Sequence, residues 1–256
     1  MFKIKIIDAK IKPKNPILIE GLPGIGNVSR IAADYLIGSL KAKKFMELYS
    51  DCFPNSVLID DSSRIELPKL EFYYKKTGKK QVVIMIGDVQ PVNEKDSYAL
   101  CSEIIKIAKK MKTKEIITLG GIGLSKSSKE PDVHGAVTDK KYAQIFKKYG
   151  VKFDGNKVVG IIVGAAGLIL ALGELEGIKG IALLAETLAH PDALGIHASR
   201  SLIKVLVKYL NLKVNIKELD SEIKKMESNS KSHDKMEQKL IKLITKQDKD
   251  ELRYIG

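Results

Sequence analysis

Short β-branched runs alternate with helix-length stretches through the first two-thirds of the chain. This alternation limits the fold more than any other feature. Lys3–Ile7, Ile17–Glu20, Val57–Ile59, Val82–Ile86, Ile116–Leu119, Val158–Val163 and Ile178–Ala185 read as strands. Val82–Ile86 is apolar at every position, as expected of a strand covered on both faces. Between these runs lie helical patterns. Ile25–Leu40 carries Ile31 and Tyr35 on one face, and Asn93 caps a helix through Met111 with Ile104, Ile105 and Ala108 on its apolar side. Lys140–Lys148, Ala165–Leu172 and Gly195–Leu210 complete the helical set, and Ile65–Tyr74 reads as a hairpin or excursion bent at Pro68. Strands that alternate with helices imply an α/β fold, a mainly parallel sheet flanked by helices on both faces. Sites in such folds collect at the carboxyl ends of the strands. Here those ends are the loops Gly21–Gly26, Gly87–Pro91, Gly120–Gly123 and Glu186–Asp192.

The chain has 256 residues, of which 44% are hydrophobic and 29% charged, so it can build a sizeable core. The apolar stretch Val158–Leu172 is short and interrupted by Gly160, Gly164 and Gly167, which argues against a membrane span. The opening residues hold no long apolar segment of the signal-peptide kind, and a cytoplasmic protein is expected. Two cysteines, Cys52 and Cys101, are too few for a disulfide framework or a four-thiolate zinc site. The net charge of +13 raises the prospect of acidic partners. It resides almost wholly in lysine, however; the arginines are Arg30, Arg64, Arg200 and Arg253. Base-edge recognition favours the arginine fork, so specific nucleic-acid binding is not expected.

The glycine-rich segment Gly21-Leu-Pro-Gly24-Ile-Gly26-Asn-Val-Ser29-Arg30 follows a strand and opens a helix. Backbone N–H groups at such a junction suit a phosphate. Compared with a dinucleotide fingerprint, Ser29 replaces the third glycine and no acidic residue ends a clear second strand; no Gly-Lys-Ser/Thr follows, as a Walker loop requires. Gly21, Gly24 and Gly26 therefore have two readings, a ligand loop or a tight turn needing glycine for sterics. His190, Asp192, His197 and Arg200 gather near one helix start, where capping explains them more simply than a metal site. His134 and Asp132 sit in another loop, and Asp88 reads as a turn cap. Ser125, Ser127 and Ser128 lie outside any nucleophile elbow, and no nucleophile has a credible base. No catalytic residue, metal or cofactor is expected.

Several motifs in order resemble the proteasome assembly chaperone 2 family. They are the Gly21–Leu36 loop and helix, Gly87-Asp-Val-Gln-Pro91 with Tyr98 beyond it, Thr118-Leu-Gly-Gly121, Gly164-Ala-Ala-Gly-Leu168 and Leu183-Leu-Ala-Glu-Thr187. The resemblance spans about residues 15–210 and is to archaeal members of that family in particular. It implies a nucleoside-phosphorylase-like α/β fold without established catalysis. It also implies a homo-oligomer, with a tetramer the expected size, that binds α subunits or the α ring of the proteasome core particle and promotes its assembly or regulates it. The alternative is a nucleotide- or nucleoside-binding enzyme of phosphorylase-like fold that uses the Gly21–Gly26 loop.

After about Asn211 the composition changes. Residues 1–212 read as the α/β core and residues 213–256 as a charged helical extension ending in a free tail. Asn215-Ile-Lys-Glu218 resembles a capping box, and Ile216, Leu219, Ile223 and Met226 form a narrow seam. A polar break at Ser228–Asp234 precedes a second seam of Met236, Leu240 and Leu243. The resemblance implies a C-terminal docking motif in which an aromatic ring fills an apolar cleft and a carboxylate meets a lysine. Here the partner-binding residues would be Leu252, Arg253, Tyr254, Ile255 and Gly256, with Tyr254 third from the last residue and Arg253 where the motif has a hydrophobe.

Overall fold

A computed structural model of the chain describes residues 1–223 apart from residues 127, 191, 192, 218 and 222. The second seam, Met226 of the first seam and the tail Leu252–Gly256 lie outside the described residues. The described residues form ten strands: β1 (Phe2–Ile6), β2 (Ile17–Gly21), β3 (Lys43–Ser50), β4 (Leu58–Ile59), β5 (Ile65–Glu66), β6 (Leu70–Thr77), β7 (Lys80–Gly87), β8 (Glu115–Leu124), β9 (Val133–Val137) and β10 (Lys179–Leu188). The helices are α1 (Val28–Leu40), α2 (Glu94–Lys110), α3 (Lys140–Lys147), α4 (Ala165–Leu175) and α5 (Ile196–Leu210).

Eight strands form one mixed sheet in the order β1-β3-β6-β7-β2-β8-β10-β9; β4 and β5 make a small separate hairpin. The central run β7-β2-β8-β10 is parallel, with Ile17 beside Val82 on one side and Glu115 on the other. Antiparallel pairings of β1, β3 and β6 widen one side, and β9 runs antiparallel to β10 at the opposite edge. Helices α1 and α5 pack together on one face, and α2 and α4 on the other. The α/β expectation of a parallel sheet between helical layers thus holds at the centre. Alternation of side chains along each strand feeds both layers. Leu18, Val83, Met85, Ile116 and Ala182 join Ile104 of α2 and Ile169 of α4 in one buried cluster. Residues of opposite parity, among them Ile19, Ile84, Ile117 and Ile181, are equally buried.

The helix termini follow local chemistry. Asn93 Oδ1 accepts the Asp96 N–H at 2.9 Å, capping α2 as its sequence predicts, and Asp139 caps α3 through the Lys141 N–H at 2.9 Å. Helix α1 departs from its reading in two ways. A 3-10 turn at Ile25–Asn27 precedes it, and its buried side is Val28, Ser29, Ala32, Ala33 and Leu36, with Ile31 and Tyr35 at the margin. Small residues on that side let the helix lie close on the sheet. Ser199 Oγ of α5 donates to the Val28 carbonyl at 2.9 Å, joining the two helices of this layer.

Three segments differ from the sequence reading. Strand β3 is hidden in the sequence because its polar residues are paired rather than solvated: Glu47 is buried, with Lys44 Nζ at 3.0 Å, and the same ammonium reaches Glu71 of β6 at 2.6 Å. Strand β9 is short and carries His134 and Gly135, so His134 sits on an edge strand instead of in a loop. Val158–Val163 is not a strand. It runs as irregular chain before α4, and no described strand pairs with it.

Residues Met1–Val214 form one compact unit and Asn215–Gly256 another. Of the second unit, residues 216–223 are helical where described, and Asn215 Oδ1 accepts the Lys217 N–H at 3.1 Å at its start.

Gly21 shows how closely α1 approaches β2. A Cβ there would overlap the Ala33 Cβ and sit 3.0 Å from the Ser29 carbonyl oxygen. Gly21→Ala is expected to lower unfolding free energy by about 1–3 kcal/mol, the usual range for overpacking, read as a lower denaturant midpoint at unchanged slope.

Candidate functional site

A cavity of about 520 Å³ lies over the carboxyl ends of β2 and β8. Three of the predicted loop regions meet there: Leu22–Ile25 after β2, the end of β8 at Gly120–Gly123, and Gln90 after β7. The Val158–Val163 segment supplies the remaining wall. Its apolar composition, read from sequence as a buried strand, instead lines the cavity and continues onto the surface, with Ile161 84% and Val163 89% exposed.

The glycines hold these walls together. A Cβ on Gly120 would stand 2.6 Å from Leu184, and one on Gly121 would stand 2.6 Å from the Ile25 carbonyl oxygen. Gly26 has φ +61°, a conformation glycine adopts readily. Its carbonyl accepts the Gly195 N–H at 2.7 Å, which ties the loop to the start of α5. Gly21 is a packing position; Gly24 faces open space at the cavity wall. Arg30, the cation nearest this loop in sequence, is directed elsewhere. Its Nε donates to Asp34 at 2.7 Å and its Nη1 to the Gly87 carbonyl at 2.5 Å.

Gln90 joins two walls. Its Nε2 donates to the Pro23 carbonyl of the glycine loop, while its Oε1 accepts the Ala165 N–H at the start of α4 at 3.1 Å. The Gly87–Pro91 motif therefore works as a clamp. Asp88 Oδ2 accepts the Lys69 N–H at 3.1 Å, so it joins the end of β7 to the segment entering β6 and does not cap its own turn as its sequence position suggests. The Ser29 hydroxyl donates to the Leu22 carbonyl and closes the loop from below.

The cavity contains one group the sequence reading did not single out. Glu20, in β2, is 1% exposed. Its Oε1 accepts the Leu22 N–H at 2.8 Å, and its Oε2 has no hydrogen-bond partner among the described residues. Burial pushes its carboxyl up to about 7, against the pull of the nearby Leu22 and Leu119 N–H groups. Thr118, its lateral neighbour on β8, also has a buried hydroxyl without a described partner. The sequence signal was present: an acid at the end of the apolar run Ile17-Leu-Ile-Glu20, directly before the glycine loop. Cys101 is buried, and burial followed by the Glu20 carboxylate pushes its thiol up to about 12, so it is held as the neutral thiol.

A second cavity, of about 440 Å³, shares Val158, Val159 and Leu184 with the first. At its edge the His134 ring lies between two acids, with Nδ1 3.0 Å from Asp154 Oδ2 and Nε2 3.0 Å from Glu186 Oε1. Asp132, the sequence candidate for that histidine, pairs with Lys152 at 2.5 Å instead. In the other histidine cluster Arg200 donates to Glu130 at 2.7 Å, and Asp192 lies outside the described residues. No group of three or more His, Cys, Asp or Glu among the described residues is arranged to hold a metal ion. No helix there is long and apolar enough to cross a membrane.

The raised Glu20 carboxyl has a defined consequence for stability. A carboxyl held near 7 in the folded state and near 4.5 when free stabilises the fold fully below about pH 4.5, and that contribution is lost as pH rises through about 7. Glu20→Gln should therefore gain about 3 kcal/mol relative to the natural chain between pH 4.5 and pH 8. Denaturant unfolding of both proteins across that range checks the expectation; parallel pH profiles would contradict it.

Comparison with known proteins agrees with this architecture. The chain is 37% identical to the Methanocaldococcus jannaschii protein MJ1210, with 100% of each chain covered. Pyrococcus furiosus PbaB, described as an archaeal proteasome activator, has a similar structure, with TM-score 0.83, 35% identity, and 91% of this chain and 98% of PbaB covered. The structure is also similar to P. furiosus PbaA, described as an archaeal homologue of proteasome-assembly chaperone, with TM-score 0.77, 27% identity, and 98% and 99% of the two chains covered. The sequence model of the PAC2 family matches residues 18–233, most of the chain, and the chain belongs to the PAC2 family.

Proposed function

We propose that this protein acts on the proteasome core particle, as an assembly chaperone or activator, through protein contacts rather than through catalysis. The observation that carries this reading is the similarity to PbaB, which at 35% identity over 98% of that chain exceeds a likeness of fold alone. The similarity to PbaA points the same way. The partner is the α subunits or the α ring. The protein works as a homo-oligomer in the cytoplasm, with a tetramer the expected size.

In this proposal residues 1–212 form the oligomer and residues 213–256 reach toward the partner. Contact is made by Leu252, Arg253, Tyr254, Ile255 and Gly256. Leu252, Tyr254 and Ile255 supply apolar and aromatic surface, and the Tyr254 hydroxyl requires a hydrogen-bond partner once buried. One such short segment binds weakly. Several on one oligomer raise avidity by about 10²–10⁴-fold when their reach matches the spacing of the pockets.

The test is capture of archaeal proteasome α subunits by the full chain and by a chain lacking Leu252–Gly256. Full-length protein should retain α subunits, and the shortened chain should lose at least about tenfold in affinity, the scale of a lost multivalent contact. Equal retention by both would move the contact to the core or the helical arm. Retention by neither would refute the proteasome reading.

A further inference from the structure

Both nitrogens of the His134 ring face carboxylate oxygens. Nδ1 lies 3.0 Å from Asp154 Oδ2 and Nε2 lies 3.0 Å from Glu186 Oε1, and the histidine side chain is only 7% exposed. An ionised carboxylate only accepts hydrogen bonds, and a neutral imidazole carries a single N–H. Both contacts are therefore hydrogen bonds only while the three groups share one additional proton, whether it resides on the ring or on a carboxyl. With the proton on the ring, both bonds are charge-assisted. Without it, one ring nitrogen turns its lone pair toward a carboxylate oxygen at 3.0 Å, and that contact becomes repulsive.

Of the two acids, Asp154 is the one placed to leave. Glu186 is fixed within β10 by strand pairing, whereas Asp154 lies in a loop with its side chain 41% exposed against 22% for Glu186. Further charged groups among the described residues surround the ring. Lys152 pairs with Asp132 at 2.5 Å and is also attracted by Asp154 and Glu186, and Lys140 of α3 stands across the second cavity. Backbone hydrogen bonds of 2.8 Å tie Lys152 to Val133 and Gly135 of β9, so any movement begins beyond it.

Asp154 opens the stretch that becomes the wall of both cavities. Val158 and Val159 line the two of them, and no described strand pairs with Val158–Val163. Glycines with positive φ bracket this strap, Gly155 at +63° and Gly164 at +89°. Its far end is held by Gln90 through the Ala165 N–H at 3.1 Å. We propose that His134 is a pH-sensitive latch: the shared proton fastens Asp154 and seats the Val158–Val163 strap over the cavities, and loss of that proton releases it. The seated state binds one more proton than the released state, so it is favoured at low pH and given up as pH rises. Imidazole is the side chain whose charge ordinarily changes near physiological pH, which suits a histidine to this task. The latch is separate from the C-terminal residues proposed to meet the proteasome, and it stands or falls independently of them.

Methyl NMR of the full chain from about pH 5.5 to about pH 9, a range that brackets the ordinary imidazole transition, tests this. At the acid end, nuclear Overhauser contacts should join the Val159 and Ile162 methyls to the buried cluster they pack against. Those contacts should disappear toward the alkaline end. Asp154→Asn should keep them throughout, because its amide donates to an unprotonated Nδ1 and its carbonyl accepts from a protonated one. Glu186→Gln supplies the same amide to Nε2, should behave alike, and stands in where the first variant fails to fold. Asp154→Ala should lack the contacts at every pH. The Glu20 carboxyl, pushed up to about 7, titrates in the same range but is unchanged in these variants, so a difference between them and the natural chain isolates the latch. The proposal is overturned if the natural chain keeps the contacts at the alkaline end or lacks them at the acid end. It is equally overturned if the amide variants lose them in parallel with the natural chain, or if Asp154→Ala keeps them.

Discussion

The close approach of α1 to the end of β2 is the contact on which the rest of this structure depends. It exists because Gly21 has no Cβ to meet Ala33, and because Ala32 and Ala33 keep the helix surface low. Once α1 lies that close, the Ile25 carbonyl comes against Gly121 and the Gly26 carbonyl reaches the Gly195 N–H. Helix α5 is then joined to α1 through Ser199. A run of small residues thus registers one helical layer to the parallel centre of the sheet. Interiors pack at crystal-like density, so a misfit of one methyl group at such a place propagates.

The same geometry shapes the cavity. Parallel strands release their loops at one end of the sheet, and the glycine loop, Gln90 and the Val158–Val163 segment converge there. The β2–α1 loop looks like a phosphate loop in sequence, yet Gly21 and Gly26 meet packing and backbone demands, Gly24 faces open space, and the adjacent arginine is used within the fold. What distinguishes the cavity is an acid in an apolar wall. Burial opposes ionisation of Glu20 more strongly than nearby backbone N–H groups favour it, and its carboxyl is pushed up to about 7.

Membership of the PAC2 family and likeness to PbaB and PbaA place the chain among proteins described by their relation to the proteasome. Residues 1–214 form one compact unit. Nothing in that role requires an unpaired carboxyl inside the body.

The sequence by itself determined the αβ alternation, the parallel centre and the Asn93 cap, because each depends on local periodicity or on a side chain meeting its own neighbouring backbone. It also carried the ordered motifs by which the family is identified. Three features were decided only by tertiary structure. Lys44 and Glu71, brought alongside Glu47, made β3 a partly polar strand that no alternation pattern reveals. The absence of a neighbouring strand turned Val158–Val163 from apparent strand into cavity wall. Packing buried Glu20 with its Oε2 unpartnered among the described residues, whereas the buried Glu47 is paired with lysine. Long-range burial and pairing set these outcomes, and neither is encoded in the spacing of residues along the chain.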